Sequence, residues 1–450
     1  WDPSGLDRGA QQACFQRQVP TYLIVANTLR IQWGPLLAPG VGACYACLAG
    51  KLHIPESLRL ADQRRWLNPQ SAPPQPFPPF AAEAAALAMP EVLLFLTGML
   101  SADQLQRTSF FHVPGRNLST VSIGPEAMCA WCGVGTPAFA KRSQLYARLD
   151  VRPMAFAGKS YPADAEEADV EVGAYLRHAQ APPATMPQGI IAPHIEPRLG
   201  QISYGHAYGA FPVGRFPRRF IVLSTSHYPQ SRVVALSAKP FATPWGLVQV
   251  DGTAVDRIAK AVGGNPFADE ALFGYEHAIE FPTIFLERAR RQAGAPPITV
   301  VPVLCGSLHE AMVRQRHPME MGEVAAFVGM LQELVAEDPD GTCIVSSIDL
   351  SHVGPRYGDP NPLNPDQLAT VRAWDQRLLG QLAAGQSTEY WETVASVNNG
   401  TRICGLTPMF LQVAALPDCR GETRHYELSL DEASRSHIGH AAMLLHPTAF

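Results

Sequence analysis

The sequence predicts an α/β protein with a mixed β-sheet, and three observations support this prediction. Continuous apolar runs typical of buried strands occur at 218–227 (RRFIVLSTSH), 298–306 (ITVVPVLCG) and 342–352 (TCIVSSIDLSH). Segments with helical spacing alternate with these runs, among them AVDRIAKAVGG, FPTIFLERARRQAG and AAFVGMLQELVAEDPDG. The chain has 450 residues, of which 46% are hydrophobic, so it can bury a sizeable core.

Changes in composition divide the chain into three predicted parts. Residues 1–150 contain a proline-rich loop at 68–80 and then a helical pattern, AAEAAALAMPEVLLFLTGML, which Pro90 interrupts. Residues 151–186 are predicted to be a linker, because they combine an acidic stretch with APPATMP, although VEVGAYLRHA between them has helical spacing. Residues 187–450 carry the alternating strands and helices and form the predicted main domain.

Charge, hydropathy and cysteine content argue against several kinds of partner. The net charge is −5 without a run of Lys or Arg, so we expect neither nucleic acid nor an anionic membrane surface as a partner. No window approaches the roughly 18 to 20 apolar residues that a membrane span needs. Nine cysteines are few for this length, and four of them form C-x-x-C pairs, which favours metal or redox chemistry in a reducing compartment. We therefore expect a cytoplasmic protein, and a homo-oligomer is compatible with this sequence.

Two cysteine pairs, CYAC and CAWC, predict a structural zinc site in the first part of the chain. Each C-x-x-C lets two thiolates reach one ion from a tight turn, and two pairs supply the tetrahedral four-sulfur set that Zn²⁺ favours. The alternatives are unrelated cysteines or a single redox pair. The predicted ligands are Cys44, Cys47, Cys129 and Cys132.

The surroundings of these pairs carry a resemblance to a known family. The segment RIQWGPLLAPGVGACYACL, followed by CAWCG, resembles the E1-like (ThiF-type) family, and especially the partner proteins of YcaO cyclodehydratases in thiazole/oxazole-modified peptide pathways. The resemblance covers roughly residues 15–135. The sequence lacks a Gly-rich phosphate-binding loop before the first pair. The resemblance therefore implies a truncated E1/ThiF-like domain that recruits a precursor peptide or a YcaO-type partner enzyme and does not adenylate.

In the main domain, polar residues follow the apolar runs. His194 follows GIIAP and His227 follows IVLSTS, while Asp349 and His352 lie at the end of TCIVSSIDLSH. Cys404, in RICGLTP, lies in a loop before a predicted helix. In an α/β sheet, ligands gather beyond the carboxyl ends of the strands. Histidine, carboxylate and thiolate are ligands that transition metals prefer.

Each of these residues also has a structural interpretation. His194 and His227 are either metal ligands or hydrogen-bonded histidines that end a strand. His352 is either an active-site group or a turn residue, and Asp349 either orients it or caps a turn. Cys404 is either a ligand or nucleophile, or a small buried residue of the core.

The motifs of the main domain resemble one family in their order along the chain. GIIAPH, LSTSH, ATPWGLVQVD, YEHAIE, VPVLCG, SSIDLSHVG and CGLTP resemble the Memo family, which includes AmmeMemoRadiSam system protein B. The resemblance covers roughly residues 187–448 and implies the fold of LigB-type class III extradiol dioxygenases. It implies that His194, His227 and Cys404 bind Fe²⁺ or Cu⁺, with Asp349 and His352 as neighbouring pocket residues.

Two functions follow from these parts. The first is a mononuclear non-haem metal enzyme of redox type that acts on a ribosomal peptide or peptide-derived group. In it, His352 held by Asp349 serves as the acid/base, and the zinc domain recruits the precursor. The second is a non-catalytic copper-binding adaptor in a peptide-maturation complex. A hydrolase with Cys404 as nucleophile is a third hypothesis, and it requires a base within hydrogen-bond distance of the thiol. Glu276 and His277, in YEHAIE, precede a predicted helix and receive no role.

Overall fold

The computed structural model describes two parts of the chain. In the first part it describes residues 21–26, 30–37, 78–99, 106–112 and 117–122, with single residues at 19, 101 and 104. In the second part it describes residues 145–448, apart from gaps at 184, 210, 212–214, 229, 309–310, 313, 358 and 360. The cysteines predicted to bind zinc lie outside the described residues, and their role stays a prediction: Cys44, Cys47, Cys129 and Cys132.

The first part contains a four-stranded antiparallel sheet with a helix packed against it. The strands pair in the order β1-β2-β3-β4 and are β1 (Thr21–Ala26), β2 (Arg30–Leu37), β3 (Arg107–His112) and β4 (Asn117–Ser122). Helix α1 spans Pro78–Leu96, and its small residues Ala84 and Ala88 pack against Ile31 and Trp33 of β2. The predicted interruption at Pro90 is absent, because α1 continues through this residue at the loss of one backbone hydrogen bond.

The second part is built on a large mixed sheet. Its strands are β5 (Gly189–Ala192), β6 (Arg219–Thr225), β7 (Val234–Leu236), β8 (Phe241–Thr243), β9 (Gly246–Val250), β10 (Thr299–Cys305), β11 (Thr342–Ser347), β12 (His352–Val353), β13 (Cys419–Asp431) and β14 (Ser436–Pro447). They lie in the order β12-β14-β5-β11-β6-β10-β9-β8, with β13 on β14 and β7 on β10. Strands β5, β11, β6, β10 and β9 run parallel, whereas β14 is antiparallel to β5. The predicted mixed α/β fold is confirmed.

Helices cover both faces of this sheet. They are α2 (Ala165–Leu176), α3 (Pro197–Tyr208), α4 (Gly252–Val262), α5 (His277–Gln292), α6 (Gly322–Glu337), α7 (Pro365–Ala383), α8 (Ser387–Ser396) and α9 (Leu406–Ala415). Successive strand residues point to opposite faces. Ile190 and Val222 pack under α2, α3 and α5, while Ile191 and Ile221 pack under α4 and α6 to α9. None of the helices within the described ranges is both long and apolar enough to cross a membrane.

The segment 151–186 differs from the predicted linker. Arg152 is fully buried and forms an ion pair with Glu280 of α5. Helix α2 begins after Asp164, whose side chain accepts hydrogen bonds from two amides of the first turn, and it buries Val172 and Leu176. The acidic and proline-rich composition concealed this amphipathic helix. These residues pack on the large sheet as part of the same domain.

Candidate metal centre

The candidate site lies beyond the carboxyl ends of three adjacent parallel strands. His194 follows β5, His227 follows β6 and Asp349 follows β11. Parallel strands end at one edge of a sheet, so these side chains meet there. Helix α5 begins at the same place with His277, directly after its N-cap residue Glu276.

Three histidines face one point at this edge. The ligand nitrogens of His194, His227 and His277 lie within 4.8 Å of one another. The ring centroids are 4.8 Å apart for His194 and His227, 5.3 Å for His194 and His277, and 4.7 Å for His227 and His277. His194 is buried, whereas the side chains of His227 and His277 are each 31% exposed. The cluster is therefore accessible from solvent on one side.

The Nδ1 atom of each histidine has a hydrogen-bond acceptor. His194 Nδ1 lies 3.1 Å from the carbonyl oxygen of Ser347, which can only accept. The Nδ1 atoms of His227 and His277 lie 3.0 and 3.1 Å from the same carboxylate oxygen, Oε1 of Glu276. With the proton on Nδ1, each neutral ring carries its lone pair on Nε2. Three such lone pairs repel one another unless a proton or a metal cation lies between them.

Glu276 is the fully buried carboxylate that orients two of the rings. It also accepts hydrogen bonds from the backbone amides of His227, at 2.7 Å, and Ala278, at 3.0 Å. Burial alone would raise the pKa of Glu276, but His227 and His277 hold this pKa well below its usual range. Burial likewise opposes protonation of His227, yet Glu276 raises the pKa of this histidine well above its usual value. Arg152 donates to the carbonyl oxygen of Glu276 at 3.1 Å and supports the N-terminus of α5.

Cys404 and Asp349 lie beside His194. The Sγ atom of Cys404 is 3.2 Å from Nε2 of His194 and accepts a hydrogen bond from the amide of Asp349 at 3.4 Å. Burial raises the pKa of the Cys404 thiol, while the hydrogen bond with His227 opposes this shift. The Asp349 carboxylate accepts from the amides of His194 and Ile195, both at 3.2 Å. Burial nevertheless raises the pKa of Asp349 to about 7.

His352 lies on β12, next to these residues. Its Nδ1 donates to the carbonyl oxygens of Leu350, at 2.9 Å, and Arg402, at 3.0 Å. Its ring packs edge-on against Tyr357, with centroids 4.9 Å apart. Because both partners of Nδ1 are acceptors, the basic nitrogen of neutral His352 is Nε2.

The chemistry of this donor set fits a transition metal. Three neutral imidazoles suit iron, copper, zinc or nickel, and a nearby thiol that can ionise favours Cu⁺ in particular. Ca²⁺ and Mg²⁺ require mainly oxygen ligands, which these side chains do not supply. Acceptors on the Nδ1 atoms orient the rings, as is usual for histidines that bind metals.

A family model described as Memo-like protein matches residues 152–444. The match includes every residue of the candidate metal centre. This chain belongs to the Memo family. The family model also begins at Arg152, within the segment predicted to be a linker.

MEMO1 family proteins of two organisms illustrate the similarity of this chain to the family. A MEMO1 family protein of Thermus thermophilus is 29% identical over 294 residues, which cover 65% of this chain and 82% of that protein. A MEMO1 family protein of Aquifex aeolicus is 27% identical over 262 residues, which cover 58% of this chain and 64% of that protein.

Likenesses to solved structures are shorter. E. coli MccB with ATP shares 22% identity, with 28% of this chain and 35% of that chain covered and a TM-score of 0.21. The heterocyclase TruD shares 20% identity, with 31% and 21% covered and a TM-score of 0.23. At these TM-scores the likeness carries no argument about fold or function.

The Memo domain brings the predicted residues of the main domain together and adds one that sequence reasoning missed. His194, His227 and Cys404 adjoin, and Asp349 lies beside them; their roles stay predictions. His277 received no role because a histidine at the start of a helix has no distinctive pattern. A signal was nevertheless present, since an acidic N-cap directly before a histidine places a carboxylate beside the ring.

Proposed function

We propose that this Memo protein is a mononuclear metal-dependent enzyme whose metal is held by His194, His227 and His277, with Cys404 as a further donor. The convergence of one ligand nitrogen from each of three histidines within 4.8 Å supports the proposal, because a bound cation is attracted to all three lone pairs. Fe²⁺ and Cu⁺ are the proposed metals, since both bind imidazole and thiolate and both change oxidation state.

The surrounding residues would handle protons. A bound metal would supply redox and Lewis-acid chemistry. His352 offers Nε2 as a proton acceptor, because two carbonyl oxygens hold its Nδ1–H. Asp349, whose pKa is about 7, can hold or release a proton near neutral pH. Its Oδ2 lies 3.6 Å from Nε2 of His194, and Glu276 keeps the rings of His227 and His277 in place.

The metal content of anaerobically purified protein tests this proposal. By inductively coupled plasma mass spectrometry, we expect one iron or copper per chain in the wild type and its loss in His194→Ala and His277→Ala. His446→Ala is the matched control. This half-buried histidine of β14 lies next to Leu445, which pairs with Gly189 at the start of β5, whereas His194 follows the other end of this strand. Equal iron or copper in all four proteins would contradict the proposal.

The proposed substrate is a ribosomal peptide or a peptide-derived group, recruited by a truncated E1/ThiF-like part that holds one structural Zn²⁺. The two C-x-x-C pairs support this proposal. Cys44→Ser should lose one zinc per chain while the iron or copper remains, and it should capture less precursor peptide or YcaO-type enzyme in a pull-down. A protein that binds copper but converts no captured peptide would instead fit the non-catalytic adaptor.

A further inference from the structure

Two chain segments run side by side at the rim of the candidate metal centre. The amide of Gly405 donates to the carbonyl oxygen of Asp349 at 3.2 Å, and the amide of His352 donates to that of Thr401 at 2.7 Å. Segment 349–352 and segment 401–405 are therefore joined at both ends. The position of His352 depends on the second segment, which also carries Cys404.

Arg402 contacts His352 through both its backbone and its side chain. Its carbonyl oxygen accepts from Nδ1 of His352 at 3.0 Å, and its Nη1 donates to the carbonyl oxygen of His352 at 3.0 Å. Arg402 is buried and has a φ of 62°, in the left-handed region that side-chain-bearing residues rarely adopt. Such a conformation persists only where surrounding contacts hold it.

Asp359 supplies the contact that holds the arginine. Its carboxylate pairs with both terminal nitrogens of Arg402, at 3.0 Å for Nη1 and 2.7 Å for Nη2. The same carboxylate accepts from the amide of Gly354 at 2.6 Å, which closes the turn that follows His352. A bidentate arginine–carboxylate pair fixes the orientation of the guanidinium group and also neutralises its charge. A lysine cannot form such a pair.

We propose that the buried Arg402–Asp359 pair is a positioning device that fixes the orientation and the tautomer of His352 beside the metal centre. The pair holds the Arg402 carbonyl oxygen against Nδ1–H as a second acceptor beside the Leu350 carbonyl oxygen, which leaves Nε2 as the proton acceptor. The use of that nitrogen in catalysis rests on the proposed function, but the hydrogen-bond geometry does not. Arg402 thus acts through His352 and has no direct part in the chemistry.

Nuclear magnetic resonance of metal-free, ¹⁵N-histidine-labelled protein tests this role. Long-range ¹H–¹⁵N spectra at a pH where the imidazole is neutral distinguish the two tautomers, and His352→Gln assigns the signal. We expect a single Nδ1–H tautomer in the wild type. In the double variant Arg402→Met/Asp359→Asn, which leaves no unpaired charge buried, only the carbonyl oxygen of Leu350 remains as a fixed acceptor for Nδ1. We therefore expect the shifts to move from the pure Nδ1–H signature toward the average of both tautomers.

The neighbouring ion pair between Arg356 and Asp431 offers a matched control. It joins Nη1 to Oδ2 at 2.9 Å close to β12, but the arginine side chain is about half exposed. Arg356→Met/Asp431→Asn should keep the single Nδ1–H tautomer of His352. If the double variant does not fold, Asp359→Asn alone replaces it. This single variant should show a smaller shift of the His352 signal in the same direction.

A folded variant in which His352 keeps the wild-type Nδ1–H signature would overturn the proposal. Folding is checked by a cooperative urea transition and by the dispersion of the amide signals, neither of which depends on bound metal. Since the tautomer is read without metal, the result stands even if the wild type binds no metal and the proposed enzyme function fails. Conversely, if the His352 signal is unchanged in the folded variant, the proposal fails even when the wild type binds metal.

Discussion

At the scale of single residues, Glu276 links two of the three candidate ligands through one carboxylate. Its oxygens accept from the Nδ1 atoms of His227 and His277 and from two backbone amides. Both carboxylate oxygens of Glu276 accept hydrogen bonds, so in Glu276→Gln the NH₂ group of the amide faces a hydrogen-bond donor in either orientation of the side chain. We expect metal affinity to fall about 10- to 100-fold, as it does when the partners of metal-binding histidines are removed. Competition with a chromophoric chelator measures this change.

A control on the same helix separates this effect from loss of stability. Glu287 of α5 is also buried, and its carboxylate pairs with Arg290 at 2.7 Å. We expect Glu287→Gln to leave metal affinity within about threefold of the wild type, because this residue has no hydrogen bond to the histidines. Similar affinities in the two variants would argue against an orienting role for Glu276.

The role of Cys404 can be decided by cobalt substitution. Its Sγ lies 3.2 Å from Nε2 of His194, so the thiolate can reach a metal bound to that nitrogen. We expect Co²⁺-loaded protein to show a sulfur-to-metal charge-transfer band, which Cys404→Ser loses while Co²⁺ remains bound to the three histidines. The spectrum of an alkylated but folded sample provides a control. The same band in wild type and variant would exclude Cys404 as a ligand.

At the scale of elements, α7 carries a buried carboxyl group that makes stability depend on pH. Asp375 is fully buried and accepts hydrogen bonds from Ser351 and Tyr426. Burial raises its pKa from 3.8 to about 7. Between these values the folded state keeps a proton that the unfolded state releases. Asp375 therefore makes the free energy of unfolding fall as pH rises from about 4 to about 7, with a slope of at most about 1.4 kcal/mol per pH unit.

Asp375→Asn should remove this contribution, because asparagine is uncharged throughout the range. We expect the variant to gain stability relative to the wild type as pH rises from 5 to 7, and the difference to level off above about 7. Urea unfolding with a chelator present measures both proteins without a contribution from bound metal. Parallel pH dependences would show that Asp375 is ionised in the folded state at low pH.

The sequence indicated elements whose signal is local and missed contacts that depend on distant residues. Strand β6 (Arg219–Thr225) lies within the apolar run 218–227, because a strand buried on both faces needs continuous apolar residues. His194 and His227 were found in the same way, from the ends of such runs. Arg152 and His277 were missed, since the burial of one depends on Glu280 and the orientation of the other on how α5 meets the sheet.

At the scale of the whole molecule, we expect residues 145–448 to fold without the preceding chain. This range contains the large sheet, the helices on both faces and the buried Tyr146 and Arg152. A fragment of residues 162–448 loses the ion pair of Arg152 with Glu280 together with the buried side chains of Tyr146 and Tyr161, and it exposes apolar core surface to water. Urea unfolding and metal content should show a stable, metal-binding longer fragment and a strongly destabilised shorter one.

Glu280→Gln in the shorter fragment provides the matched control. The truncation also deletes the residues that cover Glu280, so this substitution should change the stability of the shorter fragment much less than the truncation itself does. A shorter fragment as stable as the longer one would show that the Arg152–Glu280 pair does not connect this segment to the domain.

The place of β5 in the sheet has a consequence for how the chain folds during synthesis. Its four residues are all buried, and it lies between β11 and β14, which begin only at Thr342 and Ser436. The ribosome therefore releases β5 long before either of its neighbours exists. We infer that β5 gains both neighbours only after β14 has left the ribosome, and that refolding is slow because these pairings are far apart in sequence. Until then the apolar strand that ends at His194 is exposed, which makes the nascent chain a substrate for chaperones.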